Sequence, residues 1–343
     1  MEDTTPFFVF GAPRSGTSLL TRIINAHPEI GIPFETQFYR DFYPLRGSYG
    51  DLERPENRER LVDHLLAGSH VSKIQPLPSR DSILGFFTRH DMHGSLEALM
   101  RAWLAPQNKK RWGEKTPTHT RLWCDVLAGF PNAKIICIVR DGRDAALSWK
   151  QATFGPKHYL PLAERWADYA IHQHACRAAL PADQFLQIRY EELVSDTEAV
   201  TRTLCRFLGA DFFPAMLSFH ERSVHYPTDS RNMNNLTQPV LSANTDKWRA
   251  GMSSRDLRIF EAIAGQALSS FGYKRANPDA AIGTVERARM KFVDAPAAKA
   301  LDLSRKREAR VGALNLVRMK MLKFRLAPTR LKHLWDSIQA RSR

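Results

Sequence analysis

A chain of 343 residues with an ordinary globular composition can hold one large α/β domain with an appendage, or two domains. It contains no apolar run near the roughly 18 residues of a membrane span, and its first apolar strand begins too close to the N-terminus to leave room for a signal peptide. The net charge is +14, of which residues 281–343, with 16 Lys and Arg against 5 Asp and Glu, hold +11. We therefore expect a cytoplasmic protein with a nearly neutral main domain and a basic C-terminal tail.

Cysteine usage agrees with that compartment. The four cysteines are widely scattered and form no C-x-x-C pair, so we expect reduced thiols that fill space in the core. No cluster of carboxylates, histidines or cysteines has metal-ligand spacing, and we expect no bound metal ion.

The first chemical signal lies at residues 7–20. Four apolar residues predict a buried strand, and the apolar residues that follow position 18 recur at helical spacing. The loop between them carries Gly11 and Gly16 separated by four residues, as in the P-loop G-x-x-x-x-G-K-[ST], but Thr17 replaces the lysine and a cation stands at Arg14. Backbone amides and the positive end of the helix dipole meet here, so the loop predicts an anion site.

This stretch resembles the 5′-phosphosulfate-binding loop of the sulfotransferases that use 3′-phosphoadenosine-5′-phosphosulfate (PAPS). Its Pro-Arg-Ser-Gly-Thr-Ser form is similar to the bacterial and tyrosylprotein sulfotransferase branch. The resemblance extends over residues 6–272 and implies a three-layer α/β/α fold with a central parallel sheet. It also implies that the P-loop-like loop binds the sulfuryl donor through Arg14, Ser15, Gly16, Thr17 and Ser18.

A candidate base follows the first helix. The Asn-Ala-His-Pro turn at 25–28 predicts a helix stop, and residues 30–36 predict a short strand whose end carries Glu35. Ligands of open α/β sheets bind beyond the carboxyl ends of the strands, so Glu35 and the first loop should face the same crevice. The resembling family has a glutamate here that serves as general base, which implies that role for Glu35. A surface carboxylate is the alternative.

The string Trp-Gly-Glu-Lys-Thr-Pro at 112–117 is the next distinctive feature. Thr116 as a cap and Pro117 at the first helical position predict a helix start, and Lys115 just before it could reach the crevice. Similar Glu-Lys-Thr-Pro strings occur in the resembling branch, where the lysine stabilises the transferring sulfuryl group. This implies the same role for Lys115, against the alternative of a surface turn. His119 is a weaker candidate base, because a lone histidine there is more often structural.

A second anion site is predicted after a central strand. The apolar run at 135–139 predicts a parallel strand with Arg140 at its C-terminal end, followed by a helix that Asp144 could cap and that carries Ser148 near its start. The string resembles the family's 3′-phosphate motif, with Arg140 and Ser148 matching its arginine and serine. Two anion sites at neighbouring strand ends suit a bis-phosphorylated nucleotide. Arg143 is either a cofactor contact or a salt-bridging surface residue.

Two later strings resemble further nucleotide contacts. Residues 185–190 predict a strand, and the Arg-Tyr-Glu-Glu-Leu string resembles the one whose tyrosine approaches the adenine, which implies Tyr190; a core aromatic is the alternative. A Lys-Trp pair at Lys247 resembles the family's C-terminal cofactor contact, although the Arg-Lys-Gly motif of the cytosolic branch is absent. The polar stretch 222–247 is too long for a simple connection and is a candidate lid.

The domain organisation follows from the change in composition. We expect a sulfotransferase domain over residues 1–276 and a basic amphipathic helical tail over 277–343. Apolar stripes at 309–325 and 331–338 favour an anionic membrane surface, packing on the main domain, or a homodimer. Nucleic acid is not an expected partner, because the basic residues lack aromatic interleaving.

Together the motifs predict an enzyme that moves a sulfuryl group from PAPS to an acceptor hydroxyl or amine, with adenosine 3′,5′-bisphosphate as the product. The acceptor is open: lipid, carbohydrate, peptide or small metabolite. Glu35 would take the acceptor proton, while Arg14 and Lys115 would stabilise the developing charge. The alternatives are a nucleotide or small-molecule kinase, which Thr17 argues against, and a non-catalytic nucleotide-sensing protein that docks to a membrane.

Overall fold

Five parallel strands form the central sheet. The computed structural model describes residues 5–221, 238–241 and 244–308. The strands are β1 Phe7–Phe10, β2 Ile30–Gly31, β3 Arg111–Lys115, β4 Lys134–Val139 and β5 Phe185–Arg189. They are ordered β2-β3-β1-β4-β5, and every pair is parallel. The prediction of an α/β fold with a central parallel sheet is confirmed.

Two hydrophobic clusters cover the two faces of this sheet. Alternate side chains of a strand point to opposite faces. Phe8 and Phe10 of β1 therefore belong to one cluster, and Phe7 and Val9 belong to the other. Because both faces are buried, β1 is a continuous apolar run, as a central parallel strand requires.

Helices connect the strands. The α-helices of the described residues are α1 Thr17–Asn25, α2 Phe38–Asp41, α3 Pro55–Ala67, α4 Arg80–Gly85, α5 Met92–Leu104, α6 Trp123–Gly129, α7 Gly142–Gln151, α8 Tyr159–Ala179, α9 Tyr190–Ser195, α10 Thr197–Leu208, α11 Trp248–Gly251, α12 Ser254–Ser270, α13 Thr284–Arg289 and α14 Ala295–Glu308. None of the described helices combines the length and hydropathy that a bilayer-crossing helix requires.

The second strand is shorter than the sequence predicts. It pairs with β3 only over two residues, because the side chain of Asn25 takes both backbone groups of Ile32 at 2.7 Å and Pro33 has no amide to donate. Glu35 therefore lies in a loop beyond the strand and not at its end.

Strand β3 has no apolar run, so its sequence does not predict a strand, yet all five residues are buried. Trp112 packs edge-on against Phe8. Gly113 lies against the ring of Phe7, where a Cβ would come within 2.3 Å of that ring. Lys115 ends the strand beside Val9 of β1. The alternative that Lys115 lies in a surface turn is wrong.

Two predicted caps also differ. Helix α7 begins at Gly142 and is capped by Asp141, whereas Asp144 accepts the backbone amide of Trp248 at 2.8 Å. Ser148 is therefore the seventh residue of α7 and not part of its first turn. Thr116 precedes a 3-10 helix, and its hydroxyl bonds to Glu114 instead of capping that helix.

Arg143 has a structural role. It is buried, it forms ion pairs with Asp141 at 2.6 Å and Glu261 at 2.7 Å, and its guanidinium lies 3.7 Å from the ring centroid of Trp248. Arg143 therefore forms the expected salt bridges, but in a buried cluster and not at the surface.

The chain divides into two units, Met1–Arg287 and Ala288–Arg343. The second unit opens with a π-helical turn at Met290–Asp294, followed by α14. The amphipathic helices expected at 309–325 and 331–338 lie outside the described residues, as does most of the candidate lid at 222–247. The predicted domain boundary near residue 276 stays a prediction.

Candidate active site

The anion loop, which we define as residues 11–18 from the end of β1 through the first two residues of α1, has a backbone suited to close approach by a ligand. Arg14 and Gly16 both adopt left-handed conformations, with φ of 72° and 95°. A Cβ at Gly16 would lie 2.4 Å from the ring of Tyr190, so only glycine fits. The N-cap residue of α1 is Gly16, which has no side chain, and no side chain in the described ranges caps the helix, so the amides at its N-terminus are available to an external acceptor.

Two buried polar atoms beside this loop have no hydrogen-bond partner within the described parts of the chain. They are Ser15 Oγ and Arg140 Nε. A buried unpaired donor costs about 1–3 kcal/mol, and more when it is charged. A bound phosphate or sulfate would offer each of these atoms an acceptor, so the residues present fit an anionic ligand.

Arginine side chains bring the two predicted anion sites together. Arg14 Nε donates to Ser148 Oγ at 3.0 Å, although Ser148 lies in the second turn of α7. Arg140 Nη1 donates to the carbonyl of Arg14 at 3.3 Å. Burial and then the nearby charge of Arg140 lower the pKa of Arg14. Two guanidinium groups held this close favour an anion between them.

Tyr190 lies against the same arginine. The guanidinium of Arg140 is 4.4 Å from the Tyr190 ring centroid, and the Tyr190 hydroxyl accepts the side-chain amide of Asn244 at 2.6 Å. Tyr190 also packs in one of the two core clusters, as the alternative of a core aromatic expects, and its approach to an adenine stays a prediction. Lys247 is exposed at the start of α11, and its described contacts do not join it to Arg140 or Tyr190.

Lys115 joins the anion loop to the candidate base. Its ammonium lies 2.5 Å from Glu35 Oε1 and 3.5 Å from Ser18 Oγ. The Lys115 side chain is fully buried, while that of Glu35 is 21% exposed. Gln37 Nε2 donates to the second oxygen of Glu35 at 3.1 Å. Glu35 is thus fixed by two donors and still reaches solvent.

A cleft of about 1020 Å³ opens where Glu35 meets the anion loop. We call it the aromatic cleft, because four aromatic side chains line it: Phe34, Trp149, Phe154 and Tyr169. Arg14, Thr17, Ser18 and Glu35 form part of the same wall. A molecule in the cleft would therefore meet the anion loop and the carboxylate together.

His119 is not available as a base. It is fully buried, with Nδ1 2.8 Å from Glu114 Oε2 and Nε2 accepting the amide of Tyr39 at 3.1 Å. Since Nε2 accepts a hydrogen bond, Nδ1 carries the proton and donates it to Glu114. The sequence predicts no role for Glu114, because its partner Thr36 lies 78 positions away and strand β3 carries no apolar run that would predict its burial.

A model of a known protein family matches most of this chain. The model of the family described as "Sulfotransferase family" matches residues 6–214. The chain belongs to the sulfotransferase family. The match contains every predicted site residue except Lys247, which lies beyond it.

Two relatives of this sulfotransferase are protein-tyrosine sulfotransferases. It is 25% identical over 288 residues to protein-tyrosine sulfotransferase 1 of Danio rerio, covering 81% of this chain and 75% of that protein. It is 25% identical to the protein-tyrosine sulfotransferase of Drosophila melanogaster, covering 79% of this chain and 52% of the fly protein. The resemblance to the PAPS-dependent sulfotransferases is confirmed, and sulfuryl transfer is favoured over the kinase and the non-catalytic alternatives.

Solved structures share the fold. The sulfotransferase domain from the curacin biosynthetic pathway superposes with a TM-score of 0.58 at 18% identity, over 80% of this chain and 99% of that one. The sulfotransferase domain of the Synechococcus PCC 7002 olefin synthase gives a TM-score of 0.53 at 21% identity, over 80% and 97%. At these identities the likeness is one of fold.

Proposed function

We propose that this sulfotransferase moves the sulfuryl group of PAPS to a hydroxyl or amine of an acceptor bound in the aromatic cleft. The position of Lys115 carries the proposal. One buried cation bonds to Glu35 on the cleft wall and approaches Ser18 of the anion loop. An anion loop alone would serve nucleotide binding, whereas an adjoining carboxylate adds a base where acceptor and donor would meet.

The nucleotide would occupy the paired anion sites. The unpaired Ser15 Oγ and Arg140 Nε, together with the space left by Gly16, support this fit. When bound, PAPS supplies the sulfuryl group and leaves as adenosine 3′,5′-bisphosphate. The residues that would hold it are Arg14, Ser15, Gly16, Thr17, Ser18, Arg140, Ser148, Tyr190 and Lys247.

Glu35 is the proposed general base. Because Lys115 and Gln37 hold its two oxygens, the carboxylate is oriented before an acceptor arrives. Arg14, Lys115 and the amides at the start of α1 would stabilise the negative charge that develops during transfer. These cations would neutralise charge as Mg²⁺ does in phosphoryl transfer, so the proposal includes no metal ion.

Several classes of acceptor fit this proposal. A hydroxyl of a lipid, a carbohydrate or a small metabolite fits the proposal, and the names of the relatives add a protein tyrosine to the acceptors worth testing. From the sequence alone we also propose a cytoplasmic location. The binding of the tail to an anionic membrane surface and the homodimer are proposed from residues 309–343, which lie outside the described part of the chain.

Product analysis tests the proposal. The full chain is incubated with PAPS and a fractionated cell extract, and mass spectrometry identifies molecules that gain a sulfuryl group. Isothermal titration with adenosine 3′,5′-bisphosphate and with ATP-Mg²⁺ runs in parallel. Sulfated products and bisphosphate binding are expected. Binding of ATP-Mg²⁺ without binding of the bisphosphate would overturn the proposal.

A further inference from the structure

A fully buried carboxylate lies directly behind the candidate base. Glu114 Oε1 accepts the hydroxyl of Thr36 at 2.9 Å, the amide of Thr36 at 3.4 Å and the hydroxyl of Thr116 at 2.6 Å. Glu114 Oε2 accepts Nδ1 of His119 at 2.8 Å. We call these four residues the Glu114 network. All four side chains are buried, and none of them is among the residues that line the aromatic cleft.

The network fixes the loop that follows Glu35. The amides of Thr36, Gln37, Phe38 and Tyr39 all donate to its side chains: to Glu114 Oε1, Thr116 Oγ1, Thr36 Oγ1 and His119 Nε2. Gln37 adopts a left-handed φ of 55°, which a residue other than glycine seldom holds without support. Four consecutive amides are therefore anchored to side chains, and a strained residue lies among them.

The same network reaches Lys115 from the other side. Glu114 and Lys115 are neighbours at the end of β3, and Thr36 and Glu35 are neighbours in the loop. The ion pair between Lys115 and Glu35 and the hydrogen bonds between Glu114 and Thr36 thus form two adjacent links between one loop and one strand. A shift of either link displaces the other.

We propose that Glu114 is a positioning residue that fixes the Glu35 carboxylate against Lys115. This inference rests on the proposed role of Glu35 as general base. Glu114 acts through the backbone of residues 36–39 and does not touch the acceptor.

Charge supports this role. Burial alone would raise the pKa of Glu114, but His119 and the hydrogen bonds from the two threonines outweigh it and hold the pKa below its usual range. Glu114 is therefore an ionised acceptor. Glutamine in its place would present an NH₂ group to an N–H or O–H that needs an acceptor.

The test compares Glu114→Gln with Glu261→Gln in the full chain. Glu261 is an equally buried carboxylate that bonds to Arg143 at 2.7 Å and to the amides of Ala276 and Asn277, far along the chain from Glu35. Hydrogen–deuterium exchange of the peptide spanning residues 36–39 reports on the anchored amides without any acceptor. Sulfate transfer from PAPS to the acceptor fraction found above reports on turnover, and titration with adenosine 3′,5′-bisphosphate reports on nucleotide binding.

We expect Glu114→Gln to speed exchange at residues 36–39 and to lower turnover about 100-fold, since small misplacements of catalytic groups have effects of that size. Binding of the bisphosphate should be unchanged. Glu261→Gln should lower thermal stability to a similar degree while leaving both exchange at 36–39 and turnover at wild-type values.

If Glu114→Gln does not fold, Thr116→Val replaces it, because valine keeps the shape and removes the hydroxyl that links Glu114 to the Gln37 amide. Wild-type exchange and turnover in the folded variant, or equal changes in Glu261→Gln, would overturn the inference. Failure of the proposed function looks different, because Glu35→Gln would then keep its turnover.

Discussion

The two sides of the active site differ in how fully their polar atoms are paired. On the anion side, Ser15 Oγ and Arg140 Nε are buried without a hydrogen-bond partner among the residues described. Behind Glu35, Glu114 accepts four hydrogen bonds and His119 uses both ring nitrogens. The proposed nucleotide would complete the hydrogen bonds of the first side, whereas the second is organised by side chains of the chain itself.

Backbone strain follows the same division. Arg14 and Gln37 are both left-handed residues other than glycine. Arg14 is held through Arg140 and Ser148, which are proposed nucleotide contacts, so a ligand can alter its surroundings. Gln37 is held by Thr116 and by Thr118, which bonds to its side chain at 2.8 Å. Arg14 is thus held by groups that are proposed to bind the nucleotide, whereas Gln37 is held by side chains with no proposed nucleotide contact.

The largest effect is expected from Glu35→Gln. The glutamine oxygen can still accept from Lys115, but its NH₂ group faces Gln37 Nε2 and that hydrogen bond is lost. The Glu114 network still anchors the amides of residues 36–39, so the loop should keep its place while the group that takes a proton is removed. Turnover should fall about 100- to 10,000-fold, the range of general-base catalysis. Initial rates of sulfate transfer measure this fall, and titration with adenosine 3′,5′-bisphosphate should show unchanged affinity. Near-normal turnover would show that Glu35 is not the general base.

Arg140→Ala is expected to weaken nucleotide binding at the anion loop and to leave the surroundings of Glu35 unchanged. Hydrogen bonds to charged groups contribute about 1.5–3 kcal/mol, so affinity for the bisphosphate should fall about 10- to 100-fold. Titration calorimetry measures the change. Arg202→Ala is the control, since Arg202 is exposed on α10 and its described partners are Glu198 and the ring of Phe212. Equal losses in both variants would show a general effect of charge and not a binding site.

The sequence predicts the anion side better than the Glu35 side, and the reason is physical. Arg14, Arg140 and the glycines belong to local strand-loop-helix units, which apolar runs and glycine spacing reveal. Glu114 meets Thr36 across 78 positions of sequence, through a strand with no apolar run. Its partners are set by the pairing of β1 with β3, which local patterns do not contain.

Gly16→Ala should disturb the anion loop in the absence of any ligand. Alanine at this position would have to adopt a φ of 95°, and its Cβ would lie 2.4 Å from the Tyr190 ring. We expect the free energy of unfolding to fall by about 1–3 kcal/mol. Urea denaturation measures it, with Gly47→Ala as the control because nothing lies within 4 Å of a Cβ there. Equal midpoints for both variants would contradict a tightly packed loop.

The last pair of variants, Ser15→Ala and Thr36→Val, compares the two sides of the active site directly. Each change removes one buried hydroxyl. The hydroxyl of Ser15 has no partner in the described residues, whereas that of Thr36 bonds to Glu114 and to the Phe38 amide. Ser15→Ala should leave the stability of the nucleotide-free protein unchanged or slightly higher and should weaken bisphosphate binding about fivefold, or about 1 kcal/mol.

Thr36→Val should do the reverse. It leaves a buried carboxylate and an amide with fewer partners, so the free energy of unfolding should fall by about 1–3 kcal/mol while bisphosphate binding is kept. Urea denaturation and titration of the two variants form a two-by-two comparison. If Ser15→Ala instead destabilises the nucleotide-free protein, its hydroxyl already has a partner in the free chain. The anion side would then be as fully organised in advance as the side that holds Glu35.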